Sequence, residues 1–356
     1  MKKSRIDLIM AATIAAAFTA AGQSVDSPRS LNLDPPPERS PNRFGLNYTM
    51  GFNVPVRFGN TPGYSAIGTP RRTPDGDLYN YDNGYVLPDS SGNAMGYTRY
   101  WGYDSASQVH GNTSIDMQRS SATPNSSSGD HYDTPMSGIE LTYNRELLDK
   151  DTWRGGLEAA FGYSYMSIHD SGTQSATVTR VTDTYAFPQG NGYVVPPPGF
   201  TGRKSLPGPV LGSSPTGSRT DVDRSGSITG SRDFSADLFN WRVGPYFEIP
   251  LSKKIAFTLS GGFALMFVNS QFSFHETVNI PGAGSVGRQA SGTGTGWLPG
   301  GYIAGNFSWA LSDAWALVAG AQFEDVGRYT QTLDGKTATL DLSRAIFVNI
   351  GVSYSF

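Results

Sequence analysis

From Phe44 to Phe58 every even-numbered residue is apolar: Phe44, Leu46, Tyr48, Met50, Phe52, Val54, Val56 and Phe58. Between them lie Gly45, Asn47, Thr49, Gly51, Asn53, Pro55 and Arg57. Successive side chains of a strand point to opposite faces, so a period of two predicts a strand with one greasy and one wet face. Strands in globular cores average about 5–6 residues. A tilted strand that crosses a bilayer needs roughly 9–11 residues with one side on lipid. The run fits the second demand.

Seven further segments repeat the pattern. Ile139, Leu141 and Tyr143 oppose Glu140, Thr142 and Asn144, and Trp153, Leu157, Phe161 and Tyr165 oppose Arg154, Gly156, Glu158 and Ser164. Phe239, Trp241, Val243, Phe247 and Ile249 oppose Asn240, Arg242, Gly244 and Glu248. Ile255 to Phe267, Trp297 to Leu311, Trp315 to Phe323 and Ile346 to Phe356 alternate in the same way. Three links between these segments are short, namely Leu148–Thr152, Pro250–Lys254 and Ser312–Ala314. The other four, Gly59–Pro135, His169–Asp237, His275–Gly296 and Tyr329–Leu340, are longer, and the two kinds strictly alternate. An up-and-down antiparallel sheet puts all short links at one end and all long ones at the other. We therefore expect an all-β, antiparallel up-and-down transmembrane β-barrel of eight strands over residues 43–356, with long extracellular loops at 59–135 and 169–237.

Aromatic residues fall at two levels. Trp153, Trp309, Trp315 and Phe356 lie beside the short links, while Trp241 and Trp297 lie toward the opposite ends of their strands. Two amphipathic aromatic rings mark the two interfaces of a membrane barrel. Lys2, Lys3 and Arg5 precede the uncharged run Leu8–Ala21. That run suits a secretory signal over residues 1–22, the alternative being an N-terminal membrane anchor. Residues 23–42, broken by Pro35, Pro36, Pro37 and Pro41, read as an extended periplasmic tail.

Composition agrees with this class. Charged residues are 16% of 356, against about 25% in ordinary soluble domains. A net charge of -3 supplies no basic field for nucleic acid. Without Cys there is no disulfide frame, thiolate nucleophile or Cys-bound zinc, and no motif calls for a cofactor.

On these residues the chain resembles the small bacterial outer-membrane β-barrels built around an eight-stranded outer-membrane protein A or X domain. The features that carry the likeness are the signal segment, the eight alternating segments and the ending Ile346-x-Val-x-Ile-x-Val-x-Tyr-x-Phe356. The resemblance implies the bacterial outer membrane as location and its lipid as partner. It also implies that the barrel-assembly machinery reads the last strand through Phe356. Departures are the length of the first two outer links and an apparent phase change in the fifth strand. Phe272 and Phe274 are even while Phe263, Leu265 and Phe267 are odd, which a bulge or a strand rising above the bilayer would explain. Tyr97–Tyr103 with Ile115 and Met117 could form an extra hairpin, and Thr177–Phe187 an extra strand. If those enter the membrane, the barrel has ten to twelve strands.

By parity Glu140, Arg154, Glu158, Arg242, Glu248 and Glu324 face the lumen. Isolated charges there would be costly, so we expect an Arg–Glu network that fills the barrel. His169-Asp170 and His275-Glu276 sit at the outer rim and resemble in kind the catalytic His and Asp residues of outer-membrane proteases; solvated loop histidines are the plainer account. Asp75-Gly-Asp77 and Asp82-Asn-Gly84 lack the spacing of a calcium loop and fit turns, so no metal site is assigned. The expected function is a non-enzymatic surface scaffold that displays its outer loops for envelope integrity or for binding a ligand the sequence does not name. A small solute pore is the alternative, and a rim hydrolase a third class.

Overall fold

The computed structural model describes residues 41–62, 65–67, 71–90, 94–125, 128–133, 135–150, 152–189 and 192–356. The expected signal segment, and all but the end of the tail, lie outside them. Eight strands form a closed antiparallel ring: β1 (Asn42–Phe52), β2 (Met136–Lys150), β3 (Trp153–Ala186), β4 (Gly217–Pro250), β5 (Ile255–Ile280), β6 (Gly284–Ala310), β7 (Trp315–Asp325) and β8 (Ala345–Ser355). Each pairs with its neighbours in the chain, and β8 returns to β1 with Tyr48 opposite Ile350. Closure leaves every strand of the ring paired on both sides, which is the condition for a sheet to cross a bilayer.

The alternation from Phe44 to Phe58 proves to be two strands rather than one. Asn53 adopts the left-handed conformation, with φ 58°, and the chain leaves the ring there. Pro55–Asn60 then pairs with Lys336–Asp341 and Asp130–Tyr132. Phe44, Leu46 and Tyr48 remain about half exposed on the barrel's outside, whereas Val54, Val56 and Phe58 are buried. The same parity thus serves two environments.

The expected loop 169–237 is mostly sheet. β3 runs on to Ala186 and β4 begins at Gly217, so Thr177–Phe187 is essentially the tip of β3 rather than a separate strand. Ser114–Pro124, which holds Ile115 and Met117, pairs with that tip, and Trp101–Tyr103 pairs with Gly84–Val86. None of these segments joins the ring, so the count is eight and the ten-to-twelve alternative falls. The link expected at His275–Gly296 contracts to the turn between Ile280 and Gly284. β5 pairs with β6 in unbroken register from Ile255 to Ile280. Phe272 and Phe274 therefore need no bulge; the strand rises out of the membrane.

Above the ring, the long halves of β3–β6 are covered by a second sheet in the order Arg328–Leu333, Lys336–Asp341, Pro55–Asn60, Asp130–Tyr132. Val56, Phe58, Phe234, Met266, Phe272 and Leu340 fill the space between them. This is a β-sandwich with an ordinary apolar interior. Gly294 and Gly296 on the inner face of β6 leave room for Tyr329 and Gln331 to lie against the strand, where a Cβ would collide with them. Farther out, a distal head gathers Trp101, Tyr103, Met117, Tyr185, Phe187 and Leu211 around a second core.

Candidate functional site: a filled lumen beneath an outer sandwich

Within the ring the usual distribution of residues is inverted. Outward positions such as Leu46, Ile139, Val243, Phe263, Ile303 and Ile350 are exposed, while Asn47, Glu140, Arg242, Thr258, Gln322 and Asn349 are buried. Only a hydrocarbon solvent favours that arrangement. The aromatic levels follow. Trp153 packs on Phe247 and Trp315 on Tyr354 near the short turns, and Trp241 packs on Trp297 at the far level. Trp309 and Phe356 also point outward, each more than half exposed. From Trp297 to Trp309 is a rise of twelve residues along β6. At about 3.3 Å per residue and a tilt of about 40°, this spans about 30 Å, the thickness of a hydrocarbon core.

The structure brings all six lumen charges inside and adds a seventh. Nearest the short turns, Arg43 donates to Glu248 at 2.7 Å, and Arg154 lies 3.3 Å from Asp149 and 3.9 Å from Glu248. Thr258 also donates to Glu248. In the middle layer Arg242 contacts Glu140 at 2.5 Å and Glu158 at 3.8 Å, with its guanidinium 4.6 Å from the Tyr302 ring. Asn144 and Ser260 donate to the two oxygens of Glu158. Uppermost, the amides of Asn240 and Gln322 donate to one oxygen of Glu324. Arg43 was missed in the sequence, although it shares the parity of Gly45 and Asn47. Between these layers remains a cavity of about 40 Å³ lined by Glu140, Glu158, Arg242 and Asn306 among others, space for a few waters. Above it, Met266, Tyr302, Ala345 and Phe347 begin the apolar core. The lumen is plugged by charge below and by packed side chains above.

The rim histidines do not form the pairs their adjacency suggests, because neighbours on a strand face opposite ways. His169 points outward and bonds Asp233 at 2.6 Å, and His275 points outward to Gln289. Asp170 and Glu276 point inward instead and meet through Arg232, which contacts them at 2.8 and 2.5 Å. Lys336 reaches Glu276 at 2.5 Å from the covering sheet, and His131 lies 3.5 Å from Asp170. Burial pushes the Lys336 ammonium down, and the Glu276 charge only partly restores it. This buried ionic layer ties the two sheets of the sandwich together. Asp75 and Asp77 are engaged by Arg203, Lys204 and Tyr100. Among the described residues no three His, Asp or Glu converge on a metal-sized site.

In the head, Asp116 accepts from Thr184 at 2.6 Å and pairs with His110 and Arg219. Burial raises this carboxyl, but these partners outweigh it and hold it below its ordinary 3.8. A depressed carboxylate stabilises the fold fully above its unfolded value, and that contribution is lost as pH falls through the folded value. Acidification below about pH 4 is therefore expected to loosen the head. Protease cutting within 104–116 should appear there while the barrel keeps its heat-modifiable gel migration; uncut head at pH 2 would contradict it.

No family model and no curated protein matches the sequence. Among solved structures the chain is similar to the attachment invasion locus protein Ail of Yersinia pestis, at 9% identity over 88% of this chain and 99% of that one, TM-score 0.25. It is similar to the outer membrane protease OmpT of Escherichia coli, at 9% identity over 93% and 100%, TM-score 0.30. It is also similar to the outer membrane protein OprG of Pseudomonas aeruginosa, at 10% identity over 90% and 98%, TM-score 0.24. The chain's own geometry decides the class. A closed, even-stranded antiparallel ring with a membrane-high apolar belt, short turns at one end and long excursions at the other is the architecture of an outer-membrane-type β-barrel.

Proposed function

We propose that the protein is a non-enzymatic surface scaffold, in which a sealed barrel anchors an outer sandwich and its distal head. The observation that carries this reading is the double closure of the lumen, by the Arg43–Glu248 and Arg242–Glu140 layers below and by apolar packing above. An eight-stranded barrel is just wide enough for side chains, and here they fill it. Loops and projections on a rigid base are where binding usually resides, which favours adhesion or envelope contact over transport. The strand ending at Phe356 pairs with β7 and returns to β1, a placement compatible with its use as the signal to the assembly machinery. Purified protein in planar bilayers is expected to show no steady single-channel openings. Sustained conductance would replace the scaffold with the pore.

A further inference from the structure

Cross-strand register stacks the outward residues of β3–β6 into rows. One row is Tyr163–Phe239–Phe267–Trp297, whose rings lie 4.7–6.1 Å apart from neighbour to neighbour. It is the upper edge of the apolar belt. The next row, Tyr165–Asp237–Asn269–Thr295, keeps one exposed aromatic, and the two beyond it hold none: Ser167–Ser235–Gln271–Thr293, then His169–Asp233–Ser273–Ser291. From 167 to 175, 229 to 237, 269 to 279 and 285 to 295, the 22 outward positions hold no Lys, no Arg and no large apolar residue. Their two carboxylates are engaged, Asp233 by His169 and Asp237 by the Tyr163 hydroxyl.

A surface built to meet only water carries about 25–35% Lys, Arg, Glu and Asp among its residues. The molecule follows that habit elsewhere. The outer side of the covering sheet bears Arg57–Asp130 and Arg328–Asp341, and the tip of β4 bears Arg219, Asp221 and Asp223. The face without Lys or Arg is confined to the zone that continues the lipid belt outward. At about 4.8 Å per strand and 3.3 Å per residue it covers on the order of 600 Å², close to one side of a standard interface. Its small hydroxyls and amides both donate and accept, which suits sugar hydroxyls. Lacking cations, it does not suit phosphate or sulfate.

We propose that this face beds against neutral sugar headgroups of glycolipid in the leaflet that surrounds the barrel. The contact continues the lipid interface upward, so the occupant is membrane-borne sugar rather than a free glycan.

The test uses the full chain refolded into phosphatidylcholine bilayers with and without a digalactosyl lipid, read by the temperature at which the heat-modifiable band shifts. Wild type is expected to gain about 2–4 °C with the glycolipid. A Ser235→Glu, Ser273→Glu double variant should match wild type in phosphatidylcholine and lack the gain. The chain has no Cys, so Ser273→Cys gives an independent readout. Its labelling by a polar maleimide should slow several-fold with the glycolipid, while Ser107→Cys on the head keeps its rate. No gain in wild type, an equal gain in the double variant, or unchanged labelling at 273 would overturn the proposal. Two other results overturn it as well. Free digalactose reproducing the gain in phosphatidylcholine would assign the face to a soluble glycan. A Ser273→Cys disulfide dimer in pure phosphatidylcholine would assign it to a second copy.

Discussion

Replacing Arg242 with methionine is expected to destabilise the barrel by about 3–5 kcal/mol. The guanidinium is buried and contacts Glu140 and Glu158. Methionine keeps much of the volume but leaves two carboxylates facing each other without a cation. Removing one partner of a buried pair costs more than the pair contributes, because the remaining charge keeps its desolvation penalty. The midpoint of heat-modifiable migration should fall sharply, and Glu140→Gln with Glu158→Gln in the same chain should recover much of the loss. Wild-type melting of Arg242→Met alone would show that water in the lumen cavity satisfies both carboxylates.

Glu276→Ala should strike the sandwich and spare the barrel. The residue is fully buried between Arg232 and Lys336, so its loss removes the carboxylate that both buried cations contact. A cost of about 3–5 kcal/mol again applies, here to the docking of the covering sheet. We expect protease cuts in the hairpin Arg328–Asp341 at temperatures where the ring still migrates as folded. A hairpin that stays resistant would mean that Phe58, Phe272 and Leu340 hold the two sheets together unaided.

The ring was legible in the sequence because hydrocarbon imposes one rule on every strand. Each of the eight segments, each short turn and the inward parity of Arg154, Glu158 and Glu324 followed from period two alone. Where the solvent changes, the rule loses its meaning. Val54, Val56 and Phe58 keep the parity of Phe44 but bury it in a protein core, and nothing in their spacing marks the left-handed Asn53 as the point of departure. Phe272 and Phe274 pose the converse case, in which a straight strand looks shifted because its greasy side now lies inward. The ionic layer of Asp170, Arg232, Glu276 and Lys336 draws on four distant segments and has no local signature. One part of it could still have been found. Adjacent residues on a strand face apart, so Asp170 had to turn away from His169.

The abrupt end of the belt at Tyr163, Phe239, Phe267 and Trp297 fixes how deep the molecule sits. Lowering the molecule by a single row would immerse Asp237 and Asn269 in acyl chains, and raising it would lift Trp297 into water. Membrane proteins commonly meet a bilayer of unsuitable thickness by tilting or by sliding spare apolar surface into it. Just above that edge β3–β6 of this one add only Tyr165 as spare apolar surface. Hydrophobic mismatch must then be absorbed by the surrounding lipid, which thins or thickens around a body that acts as its own plumb line.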